Sequence, residues 1–125
     1  MANDAIGSNI ERLHMGKRMS EVAIFNQTVY LAGQVAEDQS QGITAQTRNV
    51  LAQIDRLLEQ AGSDKQHILR CQIYLSDIAN FDGMNLAWDE WVAPGHAPPR
   101  ATVEARLAQA GWLVEMVVTA AVKPV

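Results

Sequence analysis

The run from Trp112 to Val122 constrains the fold more than any other part of the chain. Nearly every residue in it is apolar, and the apolar residues fall on both alternating sets: Trp112, Val114, Met116 and Val118 on one, Leu113, Val117 and Ala121 on the other. A strand points successive side chains to opposite faces of its sheet, so this one needs cover on both sides. Glu115 interrupts the run, and a carboxylate there is costly unless it has a partner or a task.

The rest of the chain supplies cover for one side. Val22 to Phe25 and Thr28 to Val35 are β-rich runs divided by Asn26-Gln27, a polar pair suited to a tight hairpin turn. Apolar residues then recur at Ile43, Val50, Leu51, Ile54, Leu57, Leu58 and Ala61, a helical stripe that closes at Gly62 in the C′ position. Ser63-Asp64-Lys65-Gln66 has capping-box spacing for one short turn, after which Leu69, Cys71, Ile73 and Leu75 alternate with polar residues as a strand. Asn80 is placed to cap a second helix with the stripe Phe81, Met84, Trp88, Trp91 and Val92, stopped by Pro94-Gly95; its tryptophans are assigned to the core. Ala101 to Leu107 and Trp112 to Val122, joined by residues 108–111, read as an antiparallel hairpin. The order is ββαβαββ with a further strand at Asn9 to Met15: an α/β chain of the α+β kind, with a mixed six-stranded sheet and two helices on one face. Its 125 residues, 48% of them hydrophobic, suit a single domain spanning 1–125. Since two helices cover one face only, the second face of the last strand is expected to be buried by self-association.

Several function classes are disfavoured. A net charge of −4 with ten scattered Lys and Arg residues provides no basic field, so nucleic acid is not an expected partner. The one cysteine, Cys71, lies in an apolar alternating run and reads as a small buried hydrophobe. Met1 to Gly7 carries an acid and lacks the basic and apolar regions of a secretory signal, which predicts a cytoplasmic protein. The longest apolar run is about half the ~20 residues a membrane helix needs, so no membrane span is expected. His14, His67 and His96 have no partner at ligand spacing, which predicts no metal. No phosphate-cradling glycine loop and no Gly-x-Ser-x-Gly elbow occurs, so cofactor-free chemistry is expected.

The candidate site comes from the C-terminal third. In Pro98-Pro99-Arg100-Ala101-Thr102-Val103-Glu104 a proline-stiffened loop enters an alternating run, which lets the Arg100 guanidinium be held in one direction to grip a small carboxylate bidentately. Glu115 is placed on the neighbouring strand. An arginine and a glutamate on adjacent strands also form simple ion pairs, and spacing alone leaves both readings open. Gly33 either brings backbone close to a ligand or marks an ordinary strand bend. Glu104 is expected across the hairpin near Glu115, with Arg106 as the neutralising partner.

The string Pro-Pro-Arg-Ala-Thr-Val at 98–103, then Arg106, Ala108 and Val114-Glu115-Met116, resembles the C-terminal signature of the Rid (RidA/YjgF) family of reactive-intermediate deaminases. The likeness runs upstream through Tyr30-Leu31-Ala32-Gly33-Gln34, Ala45-Gln46-Thr47-Arg48, Glu59-Gln60-Ala61-Gly62-Ser63, Tyr74-Leu75-Ser76-Asp77, Phe81 and Asn85, and so covers nearly the whole chain. The resemblance implies a chorismate-mutase-like fold, a homotrimer with sites in the clefts between subunits, and cofactor-independent hydrolysis of 2-imino and 2-enamino acids to 2-oxo acids and ammonia. It implies that Arg100 binds the substrate carboxylate, that Gly33, Thr102 and Asn85 line the cleft, and that Glu115 handles the attacking water. The alternative is a non-catalytic trimer that binds 2-oxo acids or related small metabolites; RNA cleavage, a third possibility, is opposed by the acidic charge. The chain departs from the family at Arg18-Met19-Ser20, where many members have a tyrosine, and at Thr102, where a cysteine is familiar; both bear on substrate preference.

Overall fold

A mixed sheet with two helices on one face organises residues 9–125, which are those described by the structure, a computed structural model. The reading of Met1 to Gly7 lies outside the described residues. The strands are β1 (Glu11–Met15), β2 (Ser20–Phe25), β3 (Thr28–Leu31), β4 (Gln34–Val35), β5 (Ile68–Leu75), β6 (Arg100–Glu104) and β7 (Val114–Ala121); the helices are α1 (Ile43–Gln60) and α2 (Phe81–Trp91). Their order across the sheet is β1-β2-β3-β7-β5-β6, with the short β4 also on β7.

Local chemistry accounts for the elements. Asn26 and Gln27 both adopt positive φ, 51° and 65°, between the paired residues Phe25 and Thr28, the tight-turn geometry that matches the twist of a hairpin. Helix α1 buries Thr47, Val50, Leu51, Ile54, Leu57 and Leu58. It ends as its pattern predicts: Gly62 has φ +80°, its N–H donates to the Glu59 carbonyl, and the Ser63 N–H donates to the Leu58 carbonyl at 2.8 Å. In the short 3-10 turn that follows, Asp64 supplies the cap, its carboxylate accepting from Gln66 N–H at 3.0 Å, while the Ser63 hydroxyl donates to the Ala121 carbonyl. Asn80 makes no side-chain cap to α2; a 3-10 turn at Ile78–Asn80 leads in, and Asp77 caps that turn through Ala79 N–H.

Two expectations about the sheet need correction. The run Thr28 to Val35 is two strands, because the pairing with β7 slips by one residue between Tyr30↔Thr119 and Gln34↔Met116 and leaves a bulge at Ala32-Gly33. This makes seven strands where six were expected. The C-terminal hairpin does not form: β6 pairs parallel with β5, Cys71 opposite Arg100 and Tyr74 opposite Val103, while β7 runs antiparallel on the other side of β5. β5, α2 and β6 are thus a strand-helix-strand crossover, the connection parallel neighbours require, and residues 105–113 carry the chain from β6 past β5 to β7.

The core lies between sheet and helices. Val114, Met116, Val118 and Ala120 of β7 are fully buried against it with Val29, Ile73, Leu75, Ile54, Leu58 and Met84. Glu115, Val117, Thr119 and Ala121 point the other way and are partly exposed, on a face without a helix. Tyr30 and Val103, 50% and 45% exposed, belong to that open face through their register with Thr119 and with Tyr74. No helix of the described residues is long and apolar enough to cross a membrane.

Candidate functional site

Glu115 is the centre of the open-face part of the site. It sits on β7 opposite Val35 on one side and Tyr74 on the other, and its carboxylate lies over the bulge at Gly33. A methyl group built on Gly33 would overlap a Glu115 carboxylate oxygen and come within 2.9 Å of its carboxyl carbon. A side chain at position 33 would crowd Glu115, so the glycine at this bulge leaves room for that carboxylate. Glu115 also lines a cavity of about 330 Å3 with Tyr74, Val117, Ala105, Arg106, Leu107 and Ala108. It forms no ion pair among the described residues.

Arg100 belongs to the helix side. Its register partner Cys71 is buried in the core, and the guanidinium carbon stands 4.8 Å from the centre of the Trp88 ring and 5.9 Å from that of Phe81, with Nη1 3.7 Å from the Met84 sulfur. The α2 stripe read as core filler thus also forms an aromatic shelf that orients the cation, a contribution on the order of 0.5–2 kcal/mol. No carboxylate pairs with it among the described residues. Thr102 is two residues along the same face of β6. Asn85 is on the α2 stripe with Phe81, Met84 and Trp88, and its Oδ1 is buried without a hydrogen-bond partner.

The expectation that Arg100 and Glu115 occupy neighbouring strands is overturned. β5 separates them, and Glu115 shares a row with Val103, three residues beyond Arg100. Two strand spacings of ~4.8 Å and three residues of ~3.3 Å put their Cα atoms about 14 Å apart. Their side chains leave opposite faces of the sheet. The simple ion pair is excluded, and so is one small molecule held by both groups of a single chain. Gly33 and Glu115 are brought together; Arg100, Thr102 and Asn85 form a second group.

Glu104 is not near Glu115 either. It stands opposite Leu75 on the helix-side phase of β6, and its Oε1 accepts the Ile78 N–H at 2.9 Å. Arg106 is left without an ion pair among the described residues and lines the Glu115 cavity. Cys71 is buried, and burial pushes its thiol up to about 12 against the pull of Arg100 and Arg70, so it is an inert neighbour of Arg100. Among the described residues, no group of three or more His, Cys, Asp or Glu is placed to hold a metal ion.

The sequence-based reading missed the shelf and the buried Gln46. Gln46 Nε2 donates to the Gln41 and Gly111 carbonyls at 2.9 and 3.0 Å, and its Oε1 accepts from Leu113 N–H at 3.0 Å, which ties α1 to the loop between β6 and β7. A glutamine on the apolar side of a helix was the available signal.

Comparison with known proteins places this geometry. The family model described as Endoribonuclease L-PSP matches residues 10–122. A RutC family protein of Haemophilus ducreyi is 50% identical over 113 residues, 90% of this chain and 97% of that protein. The crystal structure of NMB1025 of Neisseria meningitidis, a member of the YjgF family, superposes with a TM-score of 0.88 at 45% identity, covering 94% of this chain and 98% of that one. A Rid-family protein of unknown function from Yersinia pestis, YyfA, superposes at 0.79 with 32% identity over 86% of this chain and 90% of its own. Matched over residues 10–122 by the family model and over at least nine-tenths of its length by the first two of these relatives, the chain belongs to the YjgF/RutC/Rid family.

Proposed function

We propose that this protein is a cofactor-independent cytoplasmic deaminase that hydrolyses 2-imino and 2-enamino acids to 2-oxo acids and ammonia, working as a homotrimer whose clefts join the Arg100 group of one copy to the Glu115 group of the next. The observation that carries this reading is the pair of groups on opposite faces of one sheet, a guanidinium on an aromatic shelf and a carboxylate over a glycine, neither in an ion pair among the described residues. Neither half suffices alone, and the open face with exposed Tyr30 and Val103 gives a second copy an apolar surface to cover.

In such a cleft the Arg100 fork holds the substrate carboxylate through two parallel hydrogen bonds. Asn85 and Thr102 line the cleft beside it. Glu115 takes a proton from water as the oxygen bonds to the imine carbon, and the resulting carbinolamine expels ammonia once its nitrogen is protonated. No covalent thiol step is needed, so Thr102 in place of a cysteine is compatible with turnover. RNA cleavage, suggested by the printed name of the family model, finds no support in a chain of net charge −4.

The test is the rate of 2-oxo acid formation from imines made in situ by an amino-acid oxidase from a panel of amino acids. The wild-type protein should accelerate hydrolysis of at least one. Arg100→Ala should abolish that acceleration, and Glu115→Gln should lower it by on the order of 10²-fold or more while a 2-oxo acid still binds. A protein that binds 2-oxo acids and accelerates none of these reactions is the non-catalytic binder instead.

A further inference from the structure

We propose that Arg106 receives a second carboxylate, so that the preferred substrates are dicarboxylic 2-imino acids, the class formed by oxidising acidic amino acids. This rests on the deaminase reading and assigns its substrate class.

Three observations converge on Arg106. Among the described residues it is the only cation lining the roughly 330 Å3 cavity that contains Glu115, where Tyr74, Val117, Ala105, Leu107 and Ala108 supply uncharged walls. It has no ion-pair partner among the described residues: Glu104, the acid expected to neutralise it, is engaged by the Ile78 N–H, and Glu115 is not within ion-pair distance. Its backbone is held although its side chain is exposed. The Ala105 N–H donates to the Leu75 carbonyl at 2.9 Å, and the far end of the same loop is tied down through Gly111 and Leu113 to the fully buried Gln46. An arginine mounted on an anchored loop beside a candidate base, with an unused planar fork, has the form of an anion receptor.

A second cavity of about 740 Å3 shares Ala105, Arg106 and Leu107 with the first and adds Ser76, Glu104, Gln109 and Ala110. Glu104 lines the second cavity and Glu115 the first, and each disfavours an anion directly beside it. Arg106, shared by both cavities, is where a carboxylate is favoured. A substrate whose reacting carbon lies at Glu115 and whose side chain ends in a carboxylate matches this sequence of groups.

The experiment compares the hydrolysis of imines made by oxidising aspartate or glutamate with that of imines made from alanine or 2-aminobutyrate, in wild type, Arg106→Gln and Arg106→Lys. Binding of the corresponding 2-oxo acids is measured by calorimetry. Wild type should favour the dicarboxylic imines in kcat/KM. Arg106→Gln should reduce the dicarboxylic-to-monocarboxylic ratio by on the order of 10- to 100-fold, the range of a lost charge-assisted contact, and Arg106→Lys should fall between. The calorimetric preference for 2-oxoglutarate over 2-oxobutyrate should shrink in parallel. An equal effect of Arg106→Gln on both substrate classes, or a wild type that hydrolyses monocarboxylic imines as well as dicarboxylic ones, overturns this inference and leaves the deaminase reading standing. Absence of any imine hydrolysis overturns that reading instead, and the inference with it.

Discussion

Gly33→Ala should separate the folding role of the bulge from its role in placing Glu115. The new methyl would lie 2.9 Å from the Glu115 carboxyl carbon and 3.3 Å from its Cγ, and would overlap the nearer oxygen. Carbon atoms pack at about 3.5–4.0 Å, so the carboxylate must withdraw by on the order of 1 Å. The obstructing group is the free end of a flexible side chain, and Gly33 is not among the positive-φ glycines of the described residues, Gly62 and Gly95. Side-chain strain of about 0.5–1.5 kcal/mol is offset by the ~0.4–1 kcal/mol that an alanine gains by restricting the unfolded chain. Thermal unfolding should therefore stay within about 1 kcal/mol of wild type. A catalytic group misplaced by about 1 Å can cost on the order of 10²-fold in rate, and imine hydrolysis should fall by that order. Gly42→Ala, where a methyl meets nothing within 4 Å, is the control and should leave the rate unchanged. Gly33→Ala in a Glu115→Gln background should cost nothing further, since the group it displaces no longer acts as a base. A Gly33→Ala protein that hydrolyses imines within threefold of wild type would refute the account of the bulge.

Cys71, buried and with its thiol pushed up to about 12, should resist alkylation by iodoacetamide at pH 8 in the native protein and react only on unfolding, as read by mass spectrometry. Asp55 accepts the Trp91 indole N–H through both oxygens, yet burial raises its carboxyl above the ordinary range, with Trp91 and Lys65 opposing. A folded-state value above the unfolded ~3.9 means that the native state holds the proton more tightly, so this group's contribution is full below ~3.9 and is lost as pH rises through the folded value. Asp55→Asn keeps an acceptor for Trp91 and removes the half-buried charge. Its denaturation midpoint relative to wild type should rise between pH 3 and pH 7, and a difference that stays flat or falls would contradict this.

Much of this arrangement was legible in the sequence because it is local. The α1 stripe and Gly62 located a helix and its end, Asn26-Gln27 located a hairpin, and the alternation in β7 separated Val114, Met116 and Val118 from Glu115 and Val117. Strand pairing is not local. β6 and β7 are consecutive and both alternate, so they resemble a hairpin, but the preceding β5-α2 order already favoured a parallel partner for β6. That mistake put Arg100 beside Glu115 and Glu104 near it, and correcting it places Arg100 and Glu115 on opposite faces of the sheet. Trp88 and Phe81 were readable as an apolar stripe, but nothing in their spacing says that a guanidinium lies on them.

The most direct test of the two-copy site is subunit complementation. Arg100→Ala and Glu115→Gln proteins, each inactive alone, are unfolded together in equal amounts, refolded and assayed for imine hydrolysis. If every cleft takes its arginine from one copy and its glutamate from the next, random mixing restores both native groups to about a quarter of the clefts, and the mixture should recover about a quarter of wild-type activity. A mixture that assembles normally and stays as inactive as its parents would contradict the account.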